Sequence, residues 1–159
     1  MGVDCSCIIT VIFSLWFIDC VVRFVCVLVD FTMTDTLETA NSFNLAQYDI
    51  VIDAIDMVDC KALLLYNATA AGCHVYSSMG AGRKLKAQNI RTAEFWKVQG
   101  CPLARALRTK MKKTGLLPKS KIQCVYSEEI AGEQGTLAPI VGVFGMTLAS
   151  MVLNDLNNH

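Results

Sequence analysis

Acidic and small polar residues follow two short apolar runs in the middle of the chain. Asp53 and Asp56 end the run YDIVIDAID. Ser77 and Ser78 end the run CHVYSS, just ahead of a glycine turn at residues 80–82. If both runs are parallel strands, these residues lie beyond their carboxyl ends, where open α/β sheets bind ligands. The pattern predicts a ligand site there, although an acid in this position can also simply cap the following helix.

Positive charge is concentrated in one segment. The formal net charge of the 159 residues is zero, which excludes a uniformly basic protein of the histone type. Residues 83–121, however, contain twelve lysines and arginines and one acid, Glu94, whereas the segments on either side are acidic. Such a block favours an anionic partner such as RNA, and a solvated helix face is the simpler alternative.

Eight cysteines are scattered along the chain and form no C-x-x-C pair. This spacing argues against a structural zinc site. Free thiols in a reducing compartment are the simplest interpretation, so we expect a cytoplasmic protein. Cys101 precedes a predicted helix, where the helix N-terminus lowers the pKa of a thiol, and it is a candidate nucleophile.

Strand and helix signals alternate in the first half of the chain. Residues 22–30 have valines at alternating positions and predict a strand, and YDIVIDAID and CHVYSS predict two more. Between the last two runs, residues 59–71 predict a helix that ends before Gly72. This β-α-β order predicts an α/β fold with a mostly parallel sheet and flanking helices.

The second half predicts two helices and one strand. Residues 101–114 have apolar residues at four-residue spacing on one face and basic residues on the other. Gly115 and Pro118 are expected to end this helix. IQCVYS predicts a strand. From Pro139 onward the chain is apolar nearly all round, which predicts a buried helix with close packing at Gly142 and Gly145.

The first residues contain an apolar run, residues 8–29, about as long as a membrane-spanning helix. Asp19 and Arg23 interrupt this run, and no basic residue precedes it as in a secretory signal. We therefore expect residues 1–20 to be an unassigned segment, either an artefact or an anchor, and we expect no stable membrane association. The fold is predicted over residues 21–159.

Three stretches resemble the ubiquitin-activating-like adenylation superfamily, which includes the ThiF-like sulfur-carrier adenylyltransferases. YDIVIDAIDMVDCK is similar to its strand-Asp-helix segment, and GTLAPIVGVFGMTLASMVLNDL is similar to its closing helix. Between them, SSMGAGRKL, CPLARALR and VYSEE resemble the tRNA threonylcarbamoyladenosine dehydratases in particular. The resemblance runs from about residue 31 to residue 156.

The resemblance implies a Rossmann-like fold and an ATP-dependent dehydration on tRNA. In that family, the carboxylate of the threonylcarbamoyl group is adenylated, and loss of AMP closes a cyclic product. The enzymes are homodimers that use ATP and Mg²⁺. A tRNA partner, these cofactors and a homodimer are therefore expected here.

The same resemblance supplies candidates at the first strand end. Asp56, assisted by Asp53, matches the catalytic carboxylate that helps to hold Mg-ATP, since hard oxygen ligands suit Mg²⁺. Lys61 matches a basic position on the following helix. It is expected either to neutralise phosphate or to pair with Asp59 or Asp56.

Further candidates lie in the glycine turn and the basic segment. Gly80 and Gly82 match a family turn in which missing side chains let the backbone approach the nucleotide. Phe95 and Trp96 are expected in the core, with stacking on a base as the alternative. The candidates for phosphate contacts to tRNA are Arg83, Lys84, Lys86, Arg105, Arg108, Lys112 and Lys113.

The sequence departs from the superfamily in one respect. The G-x-G-x-x-G nucleotide turn, and the arginine and lysine that follow it, have no counterpart here. We therefore expect a partial fold, the carboxyl-terminal part of such an enzyme, whose sheet is incomplete on its N-terminal side and whose ATP chemistry is impaired. Two alternatives stay open: a non-catalytic remnant that binds tRNA or a protein partner, and an adenylyltransferase for a sulfur-carrier or ubiquitin-like protein.

Overall fold

The computed structural model describes residues 24–26, 44–129, 135 and 137–157. Residues 1–20, and most of the strand predicted over residues 22–30, lie outside these ranges. Within the described part, five strands form one sheet: β1 (Phe24–Cys26), β2 (Ile50–Asp53), β3 (His74–Ser78), β4 (Ile90–Glu94) and β5 (Ile122–Ser127). Their order across the sheet is β1-β2-β3-β5-β4.

The sheet is parallel except at one edge. β1, β2, β3 and β5 run parallel to one another, and β4 pairs antiparallel with β5. Parallel neighbours need long crossover connections. Helix α1 (Val58–Ala70) lies between β2 and β3, helix α2 (Pro102–Thr114) precedes β5, and helix α3 (Ala138–Asn157) follows it. The predicted α/β fold with a mostly parallel sheet is confirmed.

The sheet is the middle of three layers. Successive strand residues point to opposite faces. Val51 and Val75 therefore join the core beneath α1 and α2, whereas Ile52 and Tyr76 join the core beneath α3. Burying one such aliphatic side chain stabilises the fold by roughly 1.5–3 kcal/mol. The strands are apolar on both faces because both faces are covered.

Glycines end α1 and α2 where the sequence predicts. After α1, Gly72 has a φ of +87°, and the amides of Gly72 and Cys73 donate to the carbonyls of Thr69 (3.3 Å) and Ala68 (3.1 Å). After α2, Gly115 has a φ of +74°. Glycine adopts this left-handed conformation without a Cβ clash, so both helices stop at a defined residue.

α3 buries one face rather than its whole circumference. Phe144 and Leu148 are fully buried, whereas Val143 is 36% and Met146 is 56% exposed. A Cβ atom on Gly142 would meet no described residue within 4 Å, so the described part of the chain does not pack closely on that glycine as predicted. Among the described residues, α3 is also the one helix long and apolar enough to cross a membrane, a test that core helices pass as well.

β4 is an element that the sequence pattern does not predict. Its residues, IRTAE, are exposed or only half-buried. Among the described strands, β4 lies at the edge of the sheet and pairs with β5 alone. A strand with one neighbour and little cover lacks the apolar pattern by which buried strands are predicted.

Candidate functional site

The carboxyl ends of β2 and β3 meet, as the sequence predicts. Asp53 and Ser77 are direct neighbours in the register of the two strands. The Ser77 hydroxyl donates to Oδ2 of Asp53 over 2.6 Å, and the Ile55 amide donates to Oδ1 over 3.0 Å. Neither Asp53 nor Ser77 is exposed to solvent. Asp53 therefore binds the loop after its own strand and the next strand, rather than capping α1.

Lys61 reaches this carboxylate from the first turns of α1. Its Nζ lies 2.6 Å from Oδ2 of Asp53 and donates to the carbonyls of Ile55 (2.9 Å) and Ser78 (2.8 Å). The side chain has no exposed surface. An ammonium group has three donors, and all three are used here. The expected pairing of Lys61 with Asp59 or Asp56 is wrong, and no donor is left over for a phosphate.

Asp56 lies in the open, in contrast to Asp53. It belongs to the short loop between β2 and α1, and its side chain is exposed. Ile55, the residue before it, is held at its amide by Asp53 and at its carbonyl by Lys61. Buried hydrogen bonds therefore fix the backbone that carries this carboxylate.

A magnesium nucleotide fits one of the two predicted carboxylates. Both oxygens of Asp53 are occupied by donors of the protein, so this residue does not fit as a metal ligand. The exposed oxygens of Asp56 fit, because Mg²⁺ is commonly bound through one or two carboxylates together with substrate phosphates. The described residues contain no group of three or more His, Cys, Asp or Glu that could hold a metal ion by itself.

The glycine turn leads into a loop that is clamped to the end of β5. The amides of Leu85 and Lys86 each donate to Oε2 of Glu129 over 3.0 Å, and the Lys84 amino group donates to the Glu129 carbonyl. The hydrogen bond from the Lys86 amide, and after it the one from the Leu85 amide, holds the pKa of Glu129 below its usual value. Sequence reasoning missed Glu129, because nothing local links it to residues 84–86.

One prediction about this loop is corrected. Lys84 is 2% exposed, so its proposed contact with tRNA phosphate conflicts with its burial. In the turn, a Cβ atom on Gly80 would lie 3.6 Å from the Cβ of Leu103, an ordinary contact distance within the protein. The approach of the Gly80 backbone to a nucleotide therefore stays a prediction. The left-handed residue of this segment is Arg83, with a φ of 60°. Gly82, Arg83 and Lys86 are exposed.

The basic face of α2 is divided between internal and exposed charges. Arg108 is half-buried and donates through one nitrogen to the carbonyls of Phe95 and Val98, both at 3.0 Å. This nitrogen therefore serves the structure, and a contact of Arg108 with tRNA stays a prediction. The predicted tRNA contacts that remain exposed on α2 are Arg105, Lys112 and Lys113.

The aromatic pair beside α2 separates into one core residue and one surface residue. Phe95 is fully buried, as expected, whereas Trp96 is 42% exposed. The two rings meet edge to face, with their centroids 5.2 Å apart. Nζ of Lys112 lies 5.8 Å from the centroid of the Trp96 ring. The core placement expected for Trp96 is wrong. Its ring is accessible, so stacking on a base stays open as the alternative.

Cys101 lies directly before α2, as predicted, but its side chain is 2% exposed. Reactive cysteines are partly exposed thiolates in electropositive surroundings. The burial of Cys101 therefore does not favour the nucleophilic role that the sequence suggested. Cys60, Cys73 and Cys124 are free and buried in the same way.

Comparisons with known proteins give two curated relatives. The chain is 40% identical over 81 residues to tRNA threonylcarbamoyladenosine dehydratase 2 of Saccharomyces cerevisiae. It is 32% identical over 104 residues to tRNA threonylcarbamoyladenosine dehydratase of Bacillus subtilis. The crystal structure of the E. coli dehydratase with AMP covers 72% of this chain at 28% identity and a TM-score of 0.65. The resemblance to the dehydratase family is confirmed. No family model matches the chain.

The similarity to the dehydratases covers only part of those proteins. The matched region is 51% of this chain but 18% of the yeast dehydratase, and 65% of this chain but 40% of the Bacillus dehydratase. The chain likewise covers 53% of the E. coli dehydratase structure with AMP and 52% of the one with ATP. The chain thus spans about half or less of each of these relatives.

Proposed function

We propose that the chain serves the ATP-dependent dehydration of threonylcarbamoyladenosine in tRNA. The carboxylate of the threonylcarbamoyl group would be adenylated by ATP, and its own modified base would then displace AMP to close a ring. The observation that carries this proposal is Asp56. It is an exposed carboxylate at the carboxyl end of a parallel strand, held in place by the buried pair Asp53 and Lys61.

In this proposal Asp56 would hold Mg²⁺ together with ATP. A bound ion there would supply positive charge beside the negatively charged phosphates. Gly80 and Gly82 belong to the turn that follows β3, at the same edge of the sheet, and are proposed to face the nucleotide. Asp53 and Lys61 act by positioning, since neither reaches solvent.

The proposed tRNA surface is the exposed part of the basic segment. Arg83 and Lys86 lie in the loop after the glycine turn, and Arg105, Lys112 and Lys113 lie on α2. Contacts of this kind go to phosphates, so they supply affinity and salt dependence rather than sequence recognition. A homodimer and a cytoplasmic location belong to the same proposal.

We further propose that the 159-residue chain performs this chemistry slowly or not at all by itself. Its sequence contains no G-x-G-x-x-G turn, in which backbone amides would bind the ATP phosphates. This observation favours a second candidate function, that of a non-catalytic module that binds tRNA. The two candidates share the basic surface and differ in the role of Asp56.

One experiment tests both parts of the proposal. The pure chain is incubated with threonylcarbamoyl-modified tRNA, ATP and Mg²⁺, and tRNA binding is measured alongside loss of water from the modified nucleoside by mass spectrometry. We expect salt-sensitive binding with little or no cyclisation. Rapid cyclisation would overturn the proposed impairment, and absence of tRNA binding would overturn the assignment to tRNA.

A further inference from the structure

Trp96 is a large aromatic side chain displayed at the surface beside a basic helix. It is 42% exposed, although the residue before it, Phe95, is fully buried. A tryptophan ring buries a large apolar area when a partner covers it, and tryptophan is enriched at interfaces, so this exposed ring is a candidate contact for a partner. Phe95 packs into the hydrophobic core, so the Phe95–Lys97 segment lies directly on it.

The short turn that carries Trp96, Phe95–Lys97, is held rigidly. The Trp96 amide donates to Oε2 of Glu94 over 3.1 Å. Before and after Trp96 in the chain, the carbonyls of Phe95 and Val98 accept hydrogen bonds from Arg108 of α2. The exposed ring is thus presented on a fixed support, which lowers the entropic cost of binding a partner.

One cation contacts the ring, and two further exposed basic residues lie on the same segment or on the adjacent helix. Nζ of Lys112 lies 5.8 Å from its centroid, within the range of a cation-π contact. Lys97 follows Trp96 in the chain and is exposed, and Arg105 lies seven residues before Lys112, on the same side of α2. Glu94 is the nearby carboxylate, and its Oε2 accepts the Trp96 amide. We call Trp96, Lys97, Arg105 and Lys112 the Trp96 patch.

An aromatic face among cations matches one class of partner. Single-stranded nucleic acids combine flat bases, which stack on aromatic rings, with phosphates that pair with Lys and Arg. In a duplex the bases are already stacked, so they offer no free face to Trp96. An acidic peptide would satisfy the cations but would leave the ring without a matching partner.

We propose that Trp96 stacks on an unpaired base of RNA, with Lys97, Arg105 and Lys112 at the flanking phosphates. This inference rests on the proposed function for the identity of the RNA, and it adds that the bound part is single-stranded. No base-specific hydrogen bond is involved, since stacking accepts any base. Lys112 leaves the ring face for a phosphate when the base arrives.

The test compares Trp96→Ala with Trp96→Phe, using two RNA probes of equal length. One probe is an RNA stem-loop with unpaired loop bases and the other is a fully paired duplex. Stacking on one base is worth about 5- to 150-fold in affinity, so Trp96→Ala should weaken stem-loop binding by about fivefold or more. Duplex binding should change little, and Trp96→Phe should retain most of the affinity.

A matched control removes one charge without touching the stack. Lys119 lies 5.8 Å from the ring centroid of Tyr66, so Lys119→Ala removes a lysine beside a different aromatic ring. This variant should weaken both probes by the same small factor. As a second readout, Trp16→Phe leaves Trp96 as the sole tryptophan, and its fluorescence should be quenched by the stem-loop but not by the duplex.

The possible failures are distinguishable. If the chain without substitutions binds neither RNA probe, tRNA is not its partner and the proposed function is overturned. If it binds both, and Trp96→Ala leaves the stem-loop affinity unchanged, the stacking inference is overturned and the proposed function stands. Binding of a glutamate-rich peptide in preference to the stem-loop would overturn it in favour of an acidic protein partner.

Discussion

Nζ of Lys61 lies 2.6 Å from Oδ2 of Asp53, and neither side chain has any exposed surface. The pair joins α1 to the end of β2, and the bond from Lys61 to the Ser78 carbonyl adds the end of β3. Charges removed from water are costly unless each is paired and hydrogen-bonded, and here both conditions hold. The exposed Asp56 lies three residues after Asp53, in the loop that this pair fixes.

Removing one member of this pair should be strongly destabilising. Lys61→Met leaves the Asp53 carboxylate buried and unpaired, so we expect a loss of about 3–5 kcal/mol in the free energy of unfolding. The double variant Asp53→Asn with Lys61→Met leaves no buried charge and should recover part of that loss. Urea unfolding checks both variants. A loss below about 1 kcal/mol for Lys61→Met, as for a surface pair, would contradict the prediction.

The clamp of Glu129 on the loop at residues 84–86 should weaken in acid. The hydrogen bonds from the backbone amides of Lys86 and Leu85 lower the pKa of Glu129 from its ordinary value of 4.5. Because the folded pKa lies below the unfolded one, the contribution of Glu129 to stability is present above the unfolded pKa. It is lost as the pH falls through the folded pKa.

NMR titration measures this effect directly. The amide resonances of Leu85 and Lys86 should move together, with a midpoint below pH 4.5. Glu129→Gln should abolish that movement while leaving distant amides unchanged. A titration midpoint at or above pH 4.5 would show that the two hydrogen bonds do not favour the ionised form of the Glu129 carboxylate.

Two glycines with similar backbone angles should differ in their tolerance of alanine. Gly100 (φ +67°) is crowded, since a Cβ atom would lie 3.1 Å from Cα of Glu128, whereas a Cβ atom on Gly115 (φ +74°) would meet no described residue within 4 Å. Gly115→Ala should cost about 1 kcal/mol for the left-handed angle alone. Gly100→Ala should cost more, about 2–3 kcal/mol, in urea unfolding. Equal costs would mean that the turn at Gly100 relaxes freely.

The buried cysteines should resist alkylation in the folded chain. Burial raises the pKa of the Cys73 and Cys124 thiols, and Cys60 and Cys101 are also buried. At neutral pH, iodoacetamide should label these four cysteines many times more slowly than in denaturant, as followed by peptide mass spectrometry. Rapid labelling of Cys101 alone would restore its candidacy as a nucleophile.

Local signals predicted much of the fold. Gly72 and Gly115 ended α1 and α2 as expected, because a helix end depends on a few neighbouring residues. The buried strands were predicted from their apolar residues. β4 has too few such residues, and among the described strands only the pairing with β5 defines it.

The candidate site was predictable in its place but not in its contacts. The strand ends located Asp53, Asp56 and Ser77 correctly, because parallel strands share one carboxyl edge. The partners of Lys61 depend on strand register. The link from Glu129 to Lys86 spans residues far apart in sequence. Contacts of this kind appear only once the chain is folded. The same holds for the difference between the exposed Arg105 and the half-buried Arg108.

The most direct test of the proposed function compares one tRNA in two forms, with and without the threonylcarbamoyl group, in the presence of excess ATP and Mg²⁺. We expect the modified tRNA to bind several-fold more tightly. We also expect Asp56→Asn to reduce this difference, whereas Asp59→Asn, which changes an exposed acid paired with Lys110, should not. Equal affinity for both forms would contradict the proposed function, since a basic surface alone would then explain all the binding.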